Sequence, residues 1–372
     1  MTMEITIAGC GIVGATLAYE LTRFPQVQVT VVEAGSPGQG ATRAALGVCM
    51  GAISRKTRGR SWQLRHRSIQ RYATLLPELE HNLGQPLPRT QGILSLCFEA
   101  DQVPPWQRLA TLRQSQGYTL ELLDPETLAA TYPQVNPTGV VLGIYSPQDF
   151  QIQPLALTQA LVKAAQQRGA VFHFNRPAQG YRELGADRVV LQGEGWTLES
   201  HKLVITAGLG SPALIPSPEI TPGITLEPVL GQGIRLRSPQ PLGEREPVIT
   251  GHDVHLVPLG NPGEGFEYWL GATVEFPSQP WGAEGTGDPQ MWDQVWQRGL
   301  AQWPGLAGAV GVERWFGLRP RPVGRSAPVI ERFGGSGSIV LATGHYRNGV
   351  LLAPGTAAQV MELLSLDPLQ PG

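Results

Sequence analysis

The sequence predicts an α/β protein in which a nucleotide-binding domain is interrupted by an antiparallel-sheet domain. The first observation is a strand, a glycine-rich turn, a helix and a second strand within residues 3–33, the order of a dinucleotide-binding βαβ unit. The second is a series of short apolar runs between glycine and proline turns over residues 216–315, which is typical of antiparallel strands. The third is an amphipathic helix followed by a strand at residues 153–174. Together they predict a Rossmann-like domain that is discontinuous in the chain.

The glycine-rich turn is Gly9-Cys-Gly-Ile-Val-Gly14, and the second strand of the unit ends at Glu33. Gly9 is expected to make the tight turn, Gly11 to let backbone N–H groups approach a pyrophosphate, and Gly14 to let the helix pack closely on the strand. Glu33 is expected to accept hydrogen bonds from the adenosine ribose hydroxyls. A carboxylate at this position argues against a 2′-phosphate, so the pattern favours FAD or NAD.

Small residues dominate the segment 34–51 that follows Glu33. Such residues permit a ring system to lie directly against the backbone, and the segment is therefore predicted to contact the cofactor, although a flexible surface loop is the alternative. The basic segment 55–71 comes next, and its spacing predicts the exposed face of an amphipathic helix. Steering of an anionic substrate and RNA binding are the alternatives for this segment.

The later elements divide the chain into two alternating parts. An amphipathic helix at 153–169 is followed by the strand 170–174, and a buried strand at 203–208 ends in small residues suited to close approach by a cofactor. A helix is predicted at 289–303 within the antiparallel region. The cofactor domain is accordingly assigned to residues 1–81, 146–215 and 326–372, and the substrate domain to residues 82–145 and 216–325.

Composition narrows the class of protein. The 372 residues are 41% hydrophobic and 16% charged, which allows two domains with ordinary cores. A formal net charge of −2 gives no global field that favours nucleic acid or an anionic membrane. The three cysteines, Cys10, Cys49 and Cys97, show no spacing typical of a disulfide framework or a metal cluster. With no signal-peptide pattern and no apolar run long enough for a membrane span, we expect a cytoplasmic protein without a metal site.

Motifs spread over nearly the whole chain resemble those of the D-amino-acid oxidase family of FAD-dependent oxidoreductases, in its glycine oxidase and sarcosine oxidase branch. The matching segments are Gly9–Gly14 with Glu33, Ala41–Gly47, Arg67-Ser68 with the following helix to Glu80, Thr206–Gly208, Val257-Pro258 with Gly271–Thr273, Gly317–Pro320, and Gly344–Gly349. The last pair is the most specific. The resemblance implies a cofactor, a substrate class and a set of site residues.

By this resemblance Arg319 would hold the substrate carboxylate in a bidentate pair, and Arg347 would lie beside both the flavin ring and the substrate. Backbone N–H groups at the start of a C-terminal helix would stabilise the anionic reduced flavin. Met50 and Gly51 are also assigned to the substrate. The cofactor-binding residues implied are Gly9, Gly11, Ile12, Val13, Gly14, Glu33, Ala34, Thr42, Arg43, Ala44, Ala45, Gly47, Val48, Ala178, Ala207, Gly208, Gly344, Arg347, Asn348, Gly349, Val350 and Leu351.

The sequence departs from this family at one substrate-contacting position. Glycine oxidase carries a tyrosine where this chain has His255, and Asp253 is expected two residues earlier on the same strand face. His255 is interpreted either as a neutral hydrogen-bond donor to a carboxylate or as a half-buried strand histidine. Residues 315–328 contain none of the cysteines to which sarcosine oxidase relatives attach their flavin, so the FAD is expected to be non-covalent.

The activity implied is oxidative deamination of a small amino acid, such as glycine, sarcosine or a small D-amino acid. A hydride would pass from Cα to flavin N5, with no protein side chain acting as acid or base, and O2 would be reduced to H2O2. One alternative is a dehydrogenase of the same fold that passes electrons to a quinone or carrier. The other is a tRNA-modifying FAD enzyme, for which only the basic segment 55–71 speaks. Nucleic acid is otherwise not expected as a partner, and homo-oligomer formation is left open.

Overall fold

The computed structural model describes residues 2–185, 187–215, 223–276 and 288–366. The expected domain segments 216–325 and 326–372 therefore include residues 216–222, 277–287 and 367–372, which lie outside the described residues. The helices of the described residues are α1 (Ile12–Leu21), α2 (Ala41–Ala44), α3 (Gly59–Leu83), α4 (Val103–Ser115), α5 (Pro125–Thr131), α6 (Pro154–Gln167), α7 (Ser211–Leu214), α8 (Pro289–Gln302) and α9 (Gly349–Leu363).

A six-stranded sheet contains the βαβ unit that the glycine-rich turn predicts. Its strands, in spatial order, are β17 (Val329–Phe333), β18 (Ile339–Thr343), β11 (Lys202–Ile205), β1 (Met3–Ala8), β2 (Val27–Val32) and β7 (Val171–His173). All neighbouring pairs are parallel except β17 with β18. The helices α1, α6 and α9 pack together with α3 on one face around a core that includes Leu17, Tyr19 and Leu161. This is the layered arrangement expected of near-continuously apolar parallel strands.

A small antiparallel sheet and the parallel sheet share a second hydrophobic core. The small sheet consists of β8 (Ala178–Glu183), β9 (Val189–Gly193) and β10 (Trp196–Ser200). Val189 and Leu191 of this sheet belong to one core with Leu203, Ile205 and Leu341 of the parallel strands. The three-stranded sheet was not predicted from the sequence.

The second large sheet, in the region expected to form the substrate domain, is mixed. Its strands, in spatial order, are β16 (Val310–Pro322), β12 (Leu226–Ser238), β15 (Phe266–Gly271), β14 (Val254–Gly260), β13 (Val248–Gly251), β4 (Arg89–Cys97), β6 (Leu142–Ile152) and β3 (Val48–Cys49), with β5 (Glu121–Leu123) also pairing with β6. Only β13 with β4 is parallel among the described pairings of this sheet. Helix α8 covers a core that includes Leu256, Leu270 and Trp303.

The structure differs from the sequence-based expectations at three places. Strand β6 continues past the expected boundary at 145 to Ile152, so the large sheet reaches further along the chain than residue 145. Asp253 does not lie on a strand face with His255, because it has a positive φ of 61° in the turn that precedes β14. The apolar run at residues 268–275 predicts one strand, but β15 ends at Gly271, although Glu275 still bridges to Leu230 of β12.

Residues 59–71 of the basic segment belong to α3, whereas residues 55–58 precede it, and the arginines are not all on the exposed face of the helix. Arg71 is only 17% exposed and pairs with Glu20 and Glu78. Arg67 is 48% exposed and pairs with Glu362 of α9. The helix is therefore held to its neighbours through two of its own cations.

Candidate active site

One large cavity runs between the two sheets. Its volume is about 1610 Å³, larger than the roughly 300–1,000 Å³ of a pocket for one drug-sized ligand. On one side it is lined by the carboxyl ends of β1, β2, β11 and β18, and on the other by residues of the large sheet. Ligands of open α/β sheets bind at this edge of the parallel strands, because the loops and helix N-termini meet there.

The glycine turn approaches other backbone so closely that side chains are excluded. Gly9 has φ +108°, and a Cβ on it would lie 2.8 Å from the backbone of Ala207. A Cβ on Gly14 would lie 2.1 Å from the Gly9 carbonyl oxygen, so this glycine packs α1 against the turn instead of lining the cavity. Gly11 is the N-cap of α1 and lines the cavity together with Ile12 and Val13, so the helix start, where an anion is favoured, borders the cavity.

Glu33 stands at the end of β2 and holds the turn from the other side. Its Oε2 accepts the Cys10 N–H at 2.6 Å, and its Oε1 accepts the Gly35 N–H at 3.1 Å. Each carboxylate oxygen can accept a further hydrogen bond, so both remain available to a pair of hydroxyl groups. Burial next to Glu33 raises the pKa of Cys10 to about 12, so this thiol stays neutral.

The small-residue segment after Glu33 is fixed between the two domains. Thr42 Oγ1 accepts the Ile12 N–H at 3.1 Å, which ties α2 to the start of α1. The Trp315 indole donates to the Ala44 carbonyl at 3.1 Å. A Cβ on Gly317 would lie 2.1 Å from the Ala44 Cβ, so β16 can pass this segment only with glycine at that point.

The start of α9 is held in place by α3. Pro354 lies inside α9 and has no N–H for the Val350 carbonyl, and the Tyr72 hydroxyl donates to that carbonyl at 2.5 Å instead. Ser68 Oγ likewise accepts the Gly355 N–H at 3.0 Å. The N-cap residue Asn348 makes no side-chain cap, so the first-turn N–H groups of α9 are left for a ligand in the cavity.

Arg319 and Arg347 reach the cavity from different domains. Arg319 is half-buried on β16, and its Nη1 donates to the Leu230 carbonyl at 2.9 Å. Arg347 is exposed on the loop before α9, and that loop is joined to β16 by the Tyr346 N–H, which donates to Pro320 O at 3.0 Å. Neither arginine forms an ion pair within the described ranges. Burial and the nearby Arg347 lower the pKa of Arg319 to about 10, which leaves it charged at neutral pH and in need of an anion.

His255 lies on β14 in the same cavity. Burial, followed by the charge of Arg347, lowers the pKa of His255 to about 4, so the ring is neutral near pH 7. Among the described residues, the Nδ1 atom of His255 is one of the buried polar atoms that have no hydrogen-bond partner, and the Nε2 atom is not one of them. An unpaired N–H costs more than an unpaired lone pair, so we assign the proton to Nε2, which can donate to a ligand.

Most residues assigned to the site from the sequence line this cavity. From the cofactor set these are Gly9, Gly11, Ile12, Val13, Glu33, Ala34, Thr42, Arg43, Ala44, Ala45, Gly47, Val48, Ala178, Ala207, Gly208, Gly344, Arg347, Asn348, Gly349, Val350 and Leu351, and from the substrate set Met50, His255 and Arg319. Gly14 and Gly51 do not line it. Gly51 is buried instead against Ile69, and its N–H is bound by Asp149.

Two charged residues near the cavity were missed by the sequence reasoning. Asp149 of β6 is 1% exposed, and Arg113 of α4 is fully buried. The sequence does contain an indication of both residues. Asp149 is an acidic residue inside the strand 142–152, and Arg113 follows Trp106 and Leu109 on the apolar face of its helix. A buried charge requires hydrogen-bond partners, and both side chains find theirs in the wall of the cavity.

Within the described part of the chain, no group of histidine, cysteine or acidic residues is arranged to hold a metal ion. Cys10, Cys49 and Cys97 are buried, free thiols. None of the described helices combines the length and the apolar character needed to cross a bilayer.

Comparison with known proteins places the chain in a family. Residues 4–363 match the model of the DAO family, described as FAD dependent oxidoreductase. A bifunctional protein ThiO/ThiG of Synechocystis sp. is 29% identical over 381 residues, and a glycine oxidase of Bacillus licheniformis is 26% identical over 372 residues. The alignments cover 100% and 99% of this chain, and 53% and 94% of the two relatives. The chain thus spans about half the length of the bifunctional relative.

A solved structure agrees with the fold. The glycine oxidase of Geobacillus kaustophilus superposes with a TM-score of 0.83 at 24% identity, covering 98% of this chain and 95% of that one. At this identity the likeness concerns the fold alone. The family match over nearly the full length, together with the glycine turn, Glu33 and the free helix N-terminus in one cavity, shows that the chain belongs to the DAO family of FAD-dependent oxidoreductases.

Proposed function

We propose that this protein binds FAD non-covalently and oxidises a small amino acid, such as glycine, sarcosine or a small D-amino acid, with O2 as electron acceptor. The observation that carries the proposal is Arg319, a half-buried cation that forms no ion pair among the described residues and shares a cavity with the nucleotide-binding turn. The names of the related glycine oxidases support the same substrate class.

The residues of the cavity fit FAD. The N-terminus of α1 suits the pyrophosphate, and the two Glu33 oxygens suit the ribose hydroxyls. The first-turn N–H groups of α9 suit an anionic ring edge, because they are uncapped and carry the positive end of the helix dipole. When bound, FAD would supply the two-electron acceptor for oxidation of the substrate at Cα.

The chain's own residues bind and orient the substrate. Arg319 would pair with its carboxylate through two charge-assisted hydrogen bonds, and His255 Nε2–H would donate to the same carboxylate. Arg347 would approach from the other domain and add positive charge. The neutral histidine leaves the net positive charge of the site to the two arginines. We assign no side chain as acid or base, so the substrate would react as its free amine.

The overall reaction balances without a further reductant. One amino acid and one O2 give an imine and H2O2, and water then converts the imine to an oxo acid and ammonia, or methylamine in the case of sarcosine. A same-fold dehydrogenase would give the imine but transfer the electrons to a quinone or carrier. We do not propose tRNA modification, because Arg67 and Arg71 of the basic segment are engaged by Glu362, Glu20 and Glu78.

An anaerobic screen tests the proposal. Glycine, sarcosine, proline and small D-amino acids are added to the FAD-loaded protein, and loss of visible flavin absorbance reports reduction. We expect at least one of them to bleach the flavin and, after O2 is admitted, one H2O2 to form per turnover. Bleaching with little peroxide would assign the dehydrogenase reaction, and no bleaching by any of these compounds would refute the proposed substrate class.

A further inference from the structure

The cavity wall at residues 50–56 is held by two buried charges that come from the substrate domain. Met50, Ile53, Ser54 and Arg55 of this segment line the cavity. The segment follows β3 and precedes α3, and it has no helix or strand of its own to satisfy its backbone groups. Buried backbone groups without partners are costly, so something else must bind them.

Asp149 binds the N–H groups of this segment. Its Oδ1 accepts the Gly51 and Ala52 N–H groups, both at 2.8 Å, and its Oδ2 accepts the Ile53 N–H at 2.7 Å. Three consecutive donors on one carboxylate form an anion nest. Glycine at position 51 is part of it, because a Cβ there would lie 2.5 Å from Ile69 and 3.2 Å from Asp149 Oδ1.

Arg113 binds the carbonyl groups of the same segment. Its Nε donates to Ala52 O at 2.6 Å, and its Nη2 donates to Ser54 O and Lys56 O, both at 2.8 Å. The guanidinium also stacks on the Trp62 ring at 3.6 Å from its centroid. This planar fork serves three carbonyls at once, which the single ammonium of a lysine could not reproduce.

We propose that Asp149 and Arg113 act as a positioning clamp that fixes the cavity wall at residues 50–56 for substrate binding. The carboxylate holds the donors and the guanidinium holds the acceptors, so the wall has one conformation. Neither side chain lines the cavity, and both act through the segment. The inference rests on the proposed function only where it concerns the substrate, because the clamp itself can be observed without turnover.

The first experiment is amide hydrogen exchange and trypsin cleavage of the FAD-loaded protein. We expect the amides of residues 51–53 to be protected in the wild type, and Asp149→Asn to lower that protection at least 10-fold, because one amide N–H would then face an –NH2 donor. We expect Arg113→Met to speed trypsin cleavage after Arg55 and Lys56. Arg71→Met is the matched control, since Arg71 is also a largely buried arginine but pairs with the carboxylates of Glu20 and Glu78 instead of with carbonyl groups.

The second experiment separates positioning from mere stability. For Arg113→Met we expect the KM of the oxidised amino acid, and the Kd for acetate followed by flavin absorbance, to rise about 10-fold while kcat changes less than about twofold. Arg113→Lys should recover part of the loss. A wild type whose residues 51–53 exchange like an exposed loop would overturn the clamp. Faster amide exchange or trypsin cleavage in residues 50–56 of a variant, with unchanged KM and acetate Kd, would overturn the role of the clamp in binding. If Arg113→Met fails to fold, Arg113→Lys and the wild-type exchange pattern still decide the question.

Discussion

Removal of the Arg319 guanidinium should weaken carboxylate binding far more than removal of any neighbouring arginine. The cation is half-buried, forms no ion pair among the described residues and donates one hydrogen bond to Leu230 O. Hydrogen bonds to a charged group contribute about 1.5–3 kcal/mol. Arg319→Met should therefore raise the acetate Kd, and lower kcat/KM for the amino acid, by about 10- to 150-fold.

The structure supplies a second perturbation that leaves the charge in place. A Cβ on Gly231 would lie 2.1 Å from Arg319 Nη2, so Gly231→Ala should displace the guanidinium and weaken acetate binding in the same direction. Arg321→Met is the control, because Arg321 is an exposed arginine of the same strand that pairs with Glu227 and does not line the cavity. The assay is flavin absorbance during an acetate titration. Acetate affinity equal to wild type in both Arg319→Met and Gly231→Ala would refute the assignment of Arg319.

Three further outcomes are expected. Glu33→Gln should weaken FAD binding about 10-fold in a fluorescence titration of the FAD-free protein, because one oxygen acceptor is lost; Glu4→Gln is the surface control, and an unchanged FAD Kd would contradict the ribose assignment. His255→Leu should raise KM about 10- to 150-fold, because a hydrogen bond to a charged carboxylate contributes about 1.5–3 kcal/mol. The wild-type KM should show no inflection near pH 6.5, since the pKa of His255 is lowered to about 4. Burial lowers the pKa of His345 to about 3, so this histidine is protonated only in the unfolded state as pH falls from 7.5 to 5.5. Over that range the wild type should lose about 1.4 kcal/mol more unfolding free energy than His345→Gln does. Equal losses for the two proteins in denaturant titrations would contradict this prediction.

The βαβ unit was predictable because its constraints are local. Gly9, Gly14 and Glu33 meet within one short stretch of chain, and each residue type follows from the geometry of a turn, a helix contact or a ribose site. Arg319 and Arg347 could be assigned from the sequence because each lies in a motif that its flanking residues make recognisable. Gly51 was assigned to the substrate, but its N–H donates to Asp149 and its Cα faces Ile69, not the cavity.

The clamp could not be found in the same way, because it joins residues far apart in sequence. Asp149 lies 98 positions from Gly51, and Arg113 lies 61 from Ala52. No periodicity connects such positions, and only the packing of β6 and α4 brings them together. The pairing of Tyr72 with Val350 O is of the same kind, although Pro354 within an apolar helix pattern signals that some carbonyl there needs an outside donor.

The order of strands in the parallel sheet has a consequence for how the protein is made. The neighbours β18, β11 and β1 come from the end, the middle and the beginning of the chain. A nascent chain that has passed Ile205 but not yet reached Ile339 can pair β1 with β11, yet it lacks β18 and the N-terminus of α9. The ribosome must therefore release the chain through the start of α9 before the flavin site is complete. Translation products that stop before Ile339 should therefore be unable to retain FAD.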